Sequence, residues 1–282
     1  MTAPRPASSL DEAAALASAA DHQLAAELAE QSAALLRALR ASGIDDAGDL
    51  RKQGDRRSHE LLVAELAARR PADGVLSEEG AVPPGEGGSD SRLAARRVWI
   101  VDPLDGTREF GEPDRPDWAV HVALVIDGFP VAGAVALPAL GEVWSTATAS
   151  GRPARPPAST PPRLAVSRTR PGWSAGLVER ALSAELVPMG SAGFKALAVV
   201  RGTADIYAHS GGQYEWDSAA PVAVALAHGL HASRLDGTPL AYNNANPYLP
   251  DLLIAHPDWA QAALRAVAGG DPSDGVRPAQ ET

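Results

Sequence analysis

The chain has 282 residues, a formal net charge of -10 and no cysteine. Its length suffices for one large core or two smaller ones, so a two-lobed globular protein is expected. The missing cysteines exclude disulfides, thiolate catalysis and sulfur-ligated metals, fit a reducing compartment, and leave oxygen and imidazole as the only metal donors. The acidic balance disfavours a nucleic acid polymer as partner, because such binding needs a concentrated basic face. No run is apolar and long enough to cross a bilayer and the N-terminus lacks a signal pattern, so a soluble cytoplasmic protein is expected, with no membrane partner.

Residues 1–9, rich in Pro, Ser and Ala, read as a frayed tail. Apolar positions then recur at helical spacing from Leu10 to about Leu39, with Asp21 as a candidate cap for a second helix. Helical spacing continues over Leu61 to Leu66, and Val75-Leu76-Ser77 reads as a short buried strand running into Glu78 and Glu79. Ala81 to Ser91 has the composition of a surface loop. Val98-Trp99-Ile100-Val101 is a β-branched and aromatic strand, expected to stop at Asp102-Pro103. Ala119–Ile126 and Pro130–Leu137 flank Asp127-Gly128, a hairpin dipeptide, so the first half pairs helices with an antiparallel meander.

The proline-rich stretch Gly151 to Pro162 is the expected crossing between lobes. The resulting division is an N-terminal tail and extension (1–20), an α+β lobe (21–155), an α/β lobe (163–268) and a C-terminal tail (269–282). In the second lobe, strands at Arg163–Ser167, Glu185–Met189 and Asp205–Ala208 alternate with helices at Ser174–Ser183, Ala192–Val200 and Asp217–His228. Gly229 is the helix stop.

Three acidic stations carry the chemistry. In Asp102-Pro103-Leu104-Asp105-Gly106-Thr107, Pro fixes φ and Gly relaxes it, so the chain turns tightly at a strand end and can aim both carboxylates at one point. Clustered carboxylates either share a proton or hold a divalent cation that prefers hard oxygen, and the Leu104 carbonyl adds an oxygen donor. Gly106 and Thr107 can open a helix whose free N–H groups favour an anion. Taken alone, the hexapeptide is also readable as a shaped strand exit, Glu78-Glu79 as a solvated pair, and Asp217 as a helix N-cap. Their joint occurrence favours the catalytic reading. The seven histidines show no metal-ligand spacing.

Ser77-Glu78-Glu79, Asp102 to Thr107 and Trp216-Asp217-Ser218-Ala219-Ala220, in that order, resemble the signature of the inositol monophosphatase superfamily. The continuation Arg108-Glu109-Phe110, the segment Gly190-Ser191-Ala192-Gly193-Phe194-Lys195, and Glu215-Trp216-Asp217 resemble its CysQ branch, the 3'(2'),5'-bisphosphate nucleotidases, above all the actinobacterial members. The resemblance covers about Asp21 to Leu264. It implies an α/β fold of alternating helix and sheet layers, an α/β/α/β/α sandwich. It also implies a magnesium-dependent, lithium-sensitive phosphomonoesterase linked to sulfate assimilation, with two or three Mg2+ ions and commonly a homodimer.

Carried over by position, the resemblance implies Glu78, Asp102, Asp105, Asp217 and the Leu104 carbonyl as metal ligands. It implies Asp55, Glu78 and Thr107 as the catalytic group, and Gly106, Thr107, Arg108, Ser191, Lys195 and Asp217 as contacts to a small phosphorylated substrate. The Thr usual shortly before the water-activating Asp is absent from Lys52-Gln53-Gly54-Asp55, where Asp55 reads equally as a loop residue preceding a helix at Arg57–Leu66. Lys195 suits a second phosphate, which favours 3'-phosphoadenosine 5'-phosphate over inositol monophosphate, while fructose 1,6-bisphosphate stays open. Arg168 and Arg170 are further candidate phosphate contacts, Trp216 a candidate wall of the site, and Leu240-Ala241-Tyr242-Asn243 a candidate base-binding segment. A metal-dependent sensor without hydrolysis is disfavoured by the intact acidic set, and a structural calcium site by the lack of an EF-hand loop.

Overall fold

Two five-stranded sheets organise the chain, which a computed structural model describes over residues 6–80, 91–149 and 157–268. Residues 81–90, residues 150–156 with the first half of the proline-rich stretch, and both extreme tails lie outside the described residues. The first sheet has the order β1-β2-β3-β4-β5, from β1 (Gly74–Ser77), β2 (Arg97–Asp105), β3 (Ala119–Ile126), β4 (Phe129–Leu137) and β5 (Glu142–Ser145). β1 runs parallel to β2, and the other neighbours are antiparallel. Asp127 and Gly128 both take positive φ (50° and 88°), as the two-residue hairpin turn requires.

Both faces of this sheet are covered, which is why its strands read as continuous apolar runs. Trp99, Val101, Val122 and Leu124 face a core shared with α2 (Ala19–Arg40) and α3 (Ala47–Arg69). Val98, Ile100, Ala123 and Val125 face the opposite way, toward α7 (Ala192–Val200) and α8 (Glu215–Ala227). The second sheet, on the far side of α7 and α8, has the order β7-β6-β8-β10-β9. Its strands are β6 (Arg163–Ser167), β7 (Glu185–Met189), β8 (Ile206–Tyr214), β9 (His231–Ser233) and β10 (Tyr248–Ala255). Its outer face packs on α6 (Trp173–Leu182) and α9 (Pro257–Ala268). The layers are therefore helix, sheet, helix, sheet, helix, as expected.

Several sequence expectations need correction. The first helical region holds two helices, α1 (Leu10–Ala14) and α2, as expected, but the cap of the second differs. Ser18 caps α2, and Asp21 is the reciprocal partner three residues on, so it completes a capping box rather than acting as the cap. Residues 6–9 are tied down rather than frayed: Ala7 N donates to Asp127 Oδ2 at 2.7 Å, and Ser9 caps α1. Ser91, expected to end a loop, instead begins α4 (Ser91–Ala94). β2 does not stop at Asp102 but continues, with a register irregularity, to Asp105. The strands after Gly229 are not marked in the sequence: β9 has three residues, and β10 carries Pro250 and Asp251 mid-run beside a register shift.

Candidate active site

The end of β2 is fastened to the helices behind it. Asp102 Oδ1 accepts from Leu104 N at 3.0 Å, closing the turn around Pro103. The Pro103 carbonyl accepts from Ser58 Oγ of α3 at 2.7 Å, and Ser58 Oγ lies 2.5 Å from Ser32 Oγ of α2. One turn earlier on α3, Gly54 allows close approach: a Cβ there would stand 2.8 Å from Phe110 and 2.9 Å from Leu104. That approach brings Asp55 to Thr107, with Oδ1 and Oγ1 3.3 Å apart, while Thr107 Oγ1 also lies 3.1 Å from the Leu104 carbonyl. Asp55 is thus a mid-helix residue, not a loop residue preceding a helix, because α3 begins at Ala47. Burial, then the charge of Glu79, pushes Asp55 up to about 7 against the lowering effect of the Thr107 hydroxyl. Thr107 opens α5 (Thr107–Phe110) behind Gly106, whose φ of 81° suits glycine.

Strand register creates the acidic cluster. Ser77 pairs with Val101 in the parallel β1–β2 ladder, so the next residues, Glu78 and Asp102, emerge side by side. They lie close enough that the charge of Glu78 acts on Asp102. Burial, then the charges of Glu78, Asp105 and Asp217, holds Asp102 well above the usual carboxylate range. Glu78 is exposed as a residue, but the protein around its carboxyl, then Asp217, raises it to about 7. Asp217 is also raised to about 7, by burial and then by Asp105. It is the third residue of α8 rather than the expected N-cap, a position Tyr214 takes, and its Oδ2 accepts from Tyr214 N at 2.7 Å.

Asp105 departs from this pattern. Burial opposes its ionisation, yet His121, Ser191 and Lys195 hold it at about 2. It accepts from Ser191 Oγ at 2.5 Å, Ala192 N at 3.1 Å and Gly193 N at 2.6 Å. His121 Nε2 lies 3.2 Å from its Oδ2, and donor atoms of Asp102, Asp105 and His121 all fall within 4.8 Å of one another. Burial lowers His121, but Asp105 outweighs it and the imidazole ends above its ordinary value. These carboxylates can share a site only by retaining protons or by receiving a cation. A hard divalent ion fits a donor set so rich in oxygen.

A cavity of about 460 Å³ opens beside the cluster, lined among others by Asp105, Gly106, Arg108, Ser191, Lys195 and Asp217. Arg108 and Arg170 are exposed on its wall, whereas Arg168 is paired with Glu109 (2.6 Å) and Glu112 (3.1 Å). Lys195 is not the projecting charge the sequence suggests: it is buried, and its Nζ donates to the carbonyls of Ser191 (2.5 Å) and Gly190 (3.2 Å). Ser191 caps α7, accepting from Phe194 N at 2.9 Å. Tyr242 is buried against Ser218 and is absent from the cavity wall, and Asn243 is held by Glu215 and Arg92. Trp216 does not line the cavity; it stacks on Tyr214 with ring centroids 4.8 Å apart. Sequence reading missed His121, Glu109, Tyr207, His209 and Gln213. Only His121 leaves a signal, as the single polar residue in the eight-residue run of β3.

The sequence profile of the Inositol monophosphatase family matches residues 9–268. A Mycobacterium bovis protein named 3'-phosphoadenosine 5'-phosphate phosphatase is 49% identical over 234 residues, 80% of this chain and 85% of its own length. Its namesake in Mycobacterium leprae is 46% identical over 258 residues, covering 88% and 93%. The crystal structure of CysQ from Bacteroides thetaiotaomicron superposes with a TM-score of 0.70 at 25% identity, over 84% of this chain and 97% of that one.

Proposed function

This chain belongs to the inositol monophosphatase family, and from that membership we propose that it is a magnesium-dependent phosphomonoesterase that removes the 3'-phosphate of 3'-phosphoadenosine 5'-phosphate, leaving AMP. The observation that carries the reading is the close approach of Asp102 and Asp105, with Glu78 and Asp217 near enough to act on them electrostatically, beside the Asp55–Thr107 pair and a cavity whose wall exposes Arg108 and Arg170. The mycobacterial relatives named for this activity support the choice of substrate.

Glu78, Asp102, Asp105, Asp217 and the Leu104 carbonyl would hold two or three Mg2+ ions. Bound there, magnesium supplies charge neutralisation at the phosphate and a water of lowered pKa. Asp55, raised to about 7 and touching Thr107, receives the proton of the attacking water near neutral pH. The backbone N–H groups of Gly106 and Thr107 orient the reacting phosphate. Arg108 faces the remainder of the substrate, Lys195 braces the cavity wall through the carbonyls of Gly190 and Ser191, and no side chain needs to form a covalent bond.

The test is phosphate release from 3'-phosphoadenosine 5'-phosphate, inositol 1-phosphate and fructose 1,6-bisphosphate, compared as kcat/KM in magnesium and again in EDTA. The nucleotide should be preferred at least tenfold and EDTA should abolish turnover. Preference for either alternative overturns the substrate assignment, and undiminished activity in EDTA overturns the metal-dependent mechanism.

A further inference from the structure

β3 reads Ala-Val-His-Val-Ala-Leu-Val-Ile, and His121 alone among these side chains carries polar atoms. It is wholly enclosed, at 0% exposure. An imidazole costs free energy in such a place unless its nitrogens are engaged. Nδ1 lies 3.0 Å from the carbonyl oxygen of Trp216, a pure acceptor, so Nδ1 carries a hydrogen. Trp216 immediately precedes Asp217. On the other side of the ring, Nε2 stands 3.2 Å from Asp105 Oδ2, an ion-pair approach without hydrogen-bond alignment. Across the β2–β3 ladder His121 pairs with Asp102, whose Oδ2 lies 3.8 Å from Nδ1.

One ring therefore abuts both β2 carboxylates and the residue that leads into the α8 carboxylate. Its remaining side is covered by α7. A Cβ on Gly193 would stand 1.9 Å from His121 Nε2, so the first turn of α7 descends onto the ring only because residue 193 has no side chain. That descent is what lets Ala192 N and Gly193 N reach Asp105.

We propose that His121 is a positioning residue that sets the spacing between the β2 carboxylates and Asp217, with Gly193 as its steric complement, so that the acidic cluster is shaped to take up a divalent cation. The assignment rests on the reading that these carboxylates bind metal. Removing a group that orients metal ligands costs roughly 10–100-fold in metal affinity. Val at 121 fills part of the ring's volume and bonds neither neighbour, whereas Asn retains a donor for the Trp216 carbonyl.

The experiment uses the full chain and Mn2+ as probe, with free ion counted by electron paramagnetic resonance in the absence of substrate. Turnover at saturating Mg2+ is measured alongside, and thermal melting verifies folding. His121→Val should weaken Mn2+ binding about 10–100-fold while kcat at saturating metal falls by a smaller factor. His121→Asn should fall between Val and the parent, and it also provides the test if the Val variant fails to fold. Gly193→Ala should reproduce the loss, and the double variant His121→Val/Gly193→Ala should be no weaker than Gly193→Ala alone, because the two act at one contact. Parent-like binding in both His121 variants, or additive losses in the double variant, overturns the assignment alone. A parent chain that binds no Mn2+ overturns the metal reading and this assignment with it.

Discussion

Replacing Asp217 by Asn should stabilise the metal-free protein while destroying its function. Burial and Asp105 raise Asp217 from 3.8 to about 7. A tenfold change in an acid constant corresponds to about 1.4 kcal/mol, so roughly 4 kcal/mol is the upper bound for one independent group. Glu78, Asp102 and Asp105 titrate together with it, and that sharing leaves about 1–3 kcal/mol for Asp217 itself. The sign follows from linkage. Below 3.8 the carboxyl is protonated in both folded and unfolded chains, and its crowding costs nothing. As pH rises through 3.8 toward about 7, the unfolded chain ionises freely and the folded chain does not, so stability is lost.

The amide introduced by Asp217→Asn mimics the protonated carboxyl and keeps an acceptor for Tyr214 N, which now donates at 2.7 Å. In EDTA near pH 8 the variant should melt above the parent by about 2–4 °C per kcal/mol, with a smaller gain near pH 5. Added Mg2+ should then raise the melting temperature of the parent far more than that of the variant, the result expected of a carboxylate that serves as a metal ligand. A variant that melts at or below the parent in EDTA near pH 8 refutes the claim that Asp217 is held in unfavourable company.

Asp55→Asn should lower kcat by roughly 10²–10⁴ with little change in Mn2+ binding. The parent's kcat/KM should fall as pH drops through about 7, the value to which burial raises Asp55, since the base must be ionised to accept a proton. A loss of metal binding instead of turnover would remove Asp55 from the proton-transfer role. Gly54→Ala forces a Cβ to within 2.8 Å of Phe110. It should cost about 1–3 kcal/mol by urea denaturation and reduce turnover in the molecules that stay folded. Ser58→Ala strips the Pro103 carbonyl of its donor and should cost about 1–3 kcal/mol. Because Pro103 lies between two of the carboxylates, the Mg2+ concentration for half-maximal activity should rise with it.

The strands that carry the acidic stations are legible because burial on both faces writes them as unbroken apolar runs. Val98–Val101 and Ala119–Ile126 needed no tertiary information. The pairings are less visible. Asp55 reads equally as a loop residue because the sequence pattern does not carry α3 back to Ala47, and Gly54 is what lets α3 lie against Leu104 and Phe110. Lys195 reads as a free charge because sequence cannot show that the carbonyls of Gly190 and Ser191 fold back onto it. His121 shows in the sequence only as a lone polar residue in an apolar strand, because its importance depends on register, not on spacing to another His.

Register explains why the cluster forms at all. A parallel β1–β2 pair aligned Ser77 to Val101 delivers Glu78 onto Asp102 with no side-chain attraction needed, since the two carboxyls repel when ionised. The energy that holds them together comes from elsewhere: the apolar faces of β2 and β3 packed on α2, α3, α7 and α8, and the Ser58–Pro103 bond. A fold whose cores enforce such crowding keeps an unfavourable site poised for a cation. Weakening the cores would let the carboxylates drift apart, so stability near Ser58 and affinity for metal should decline together.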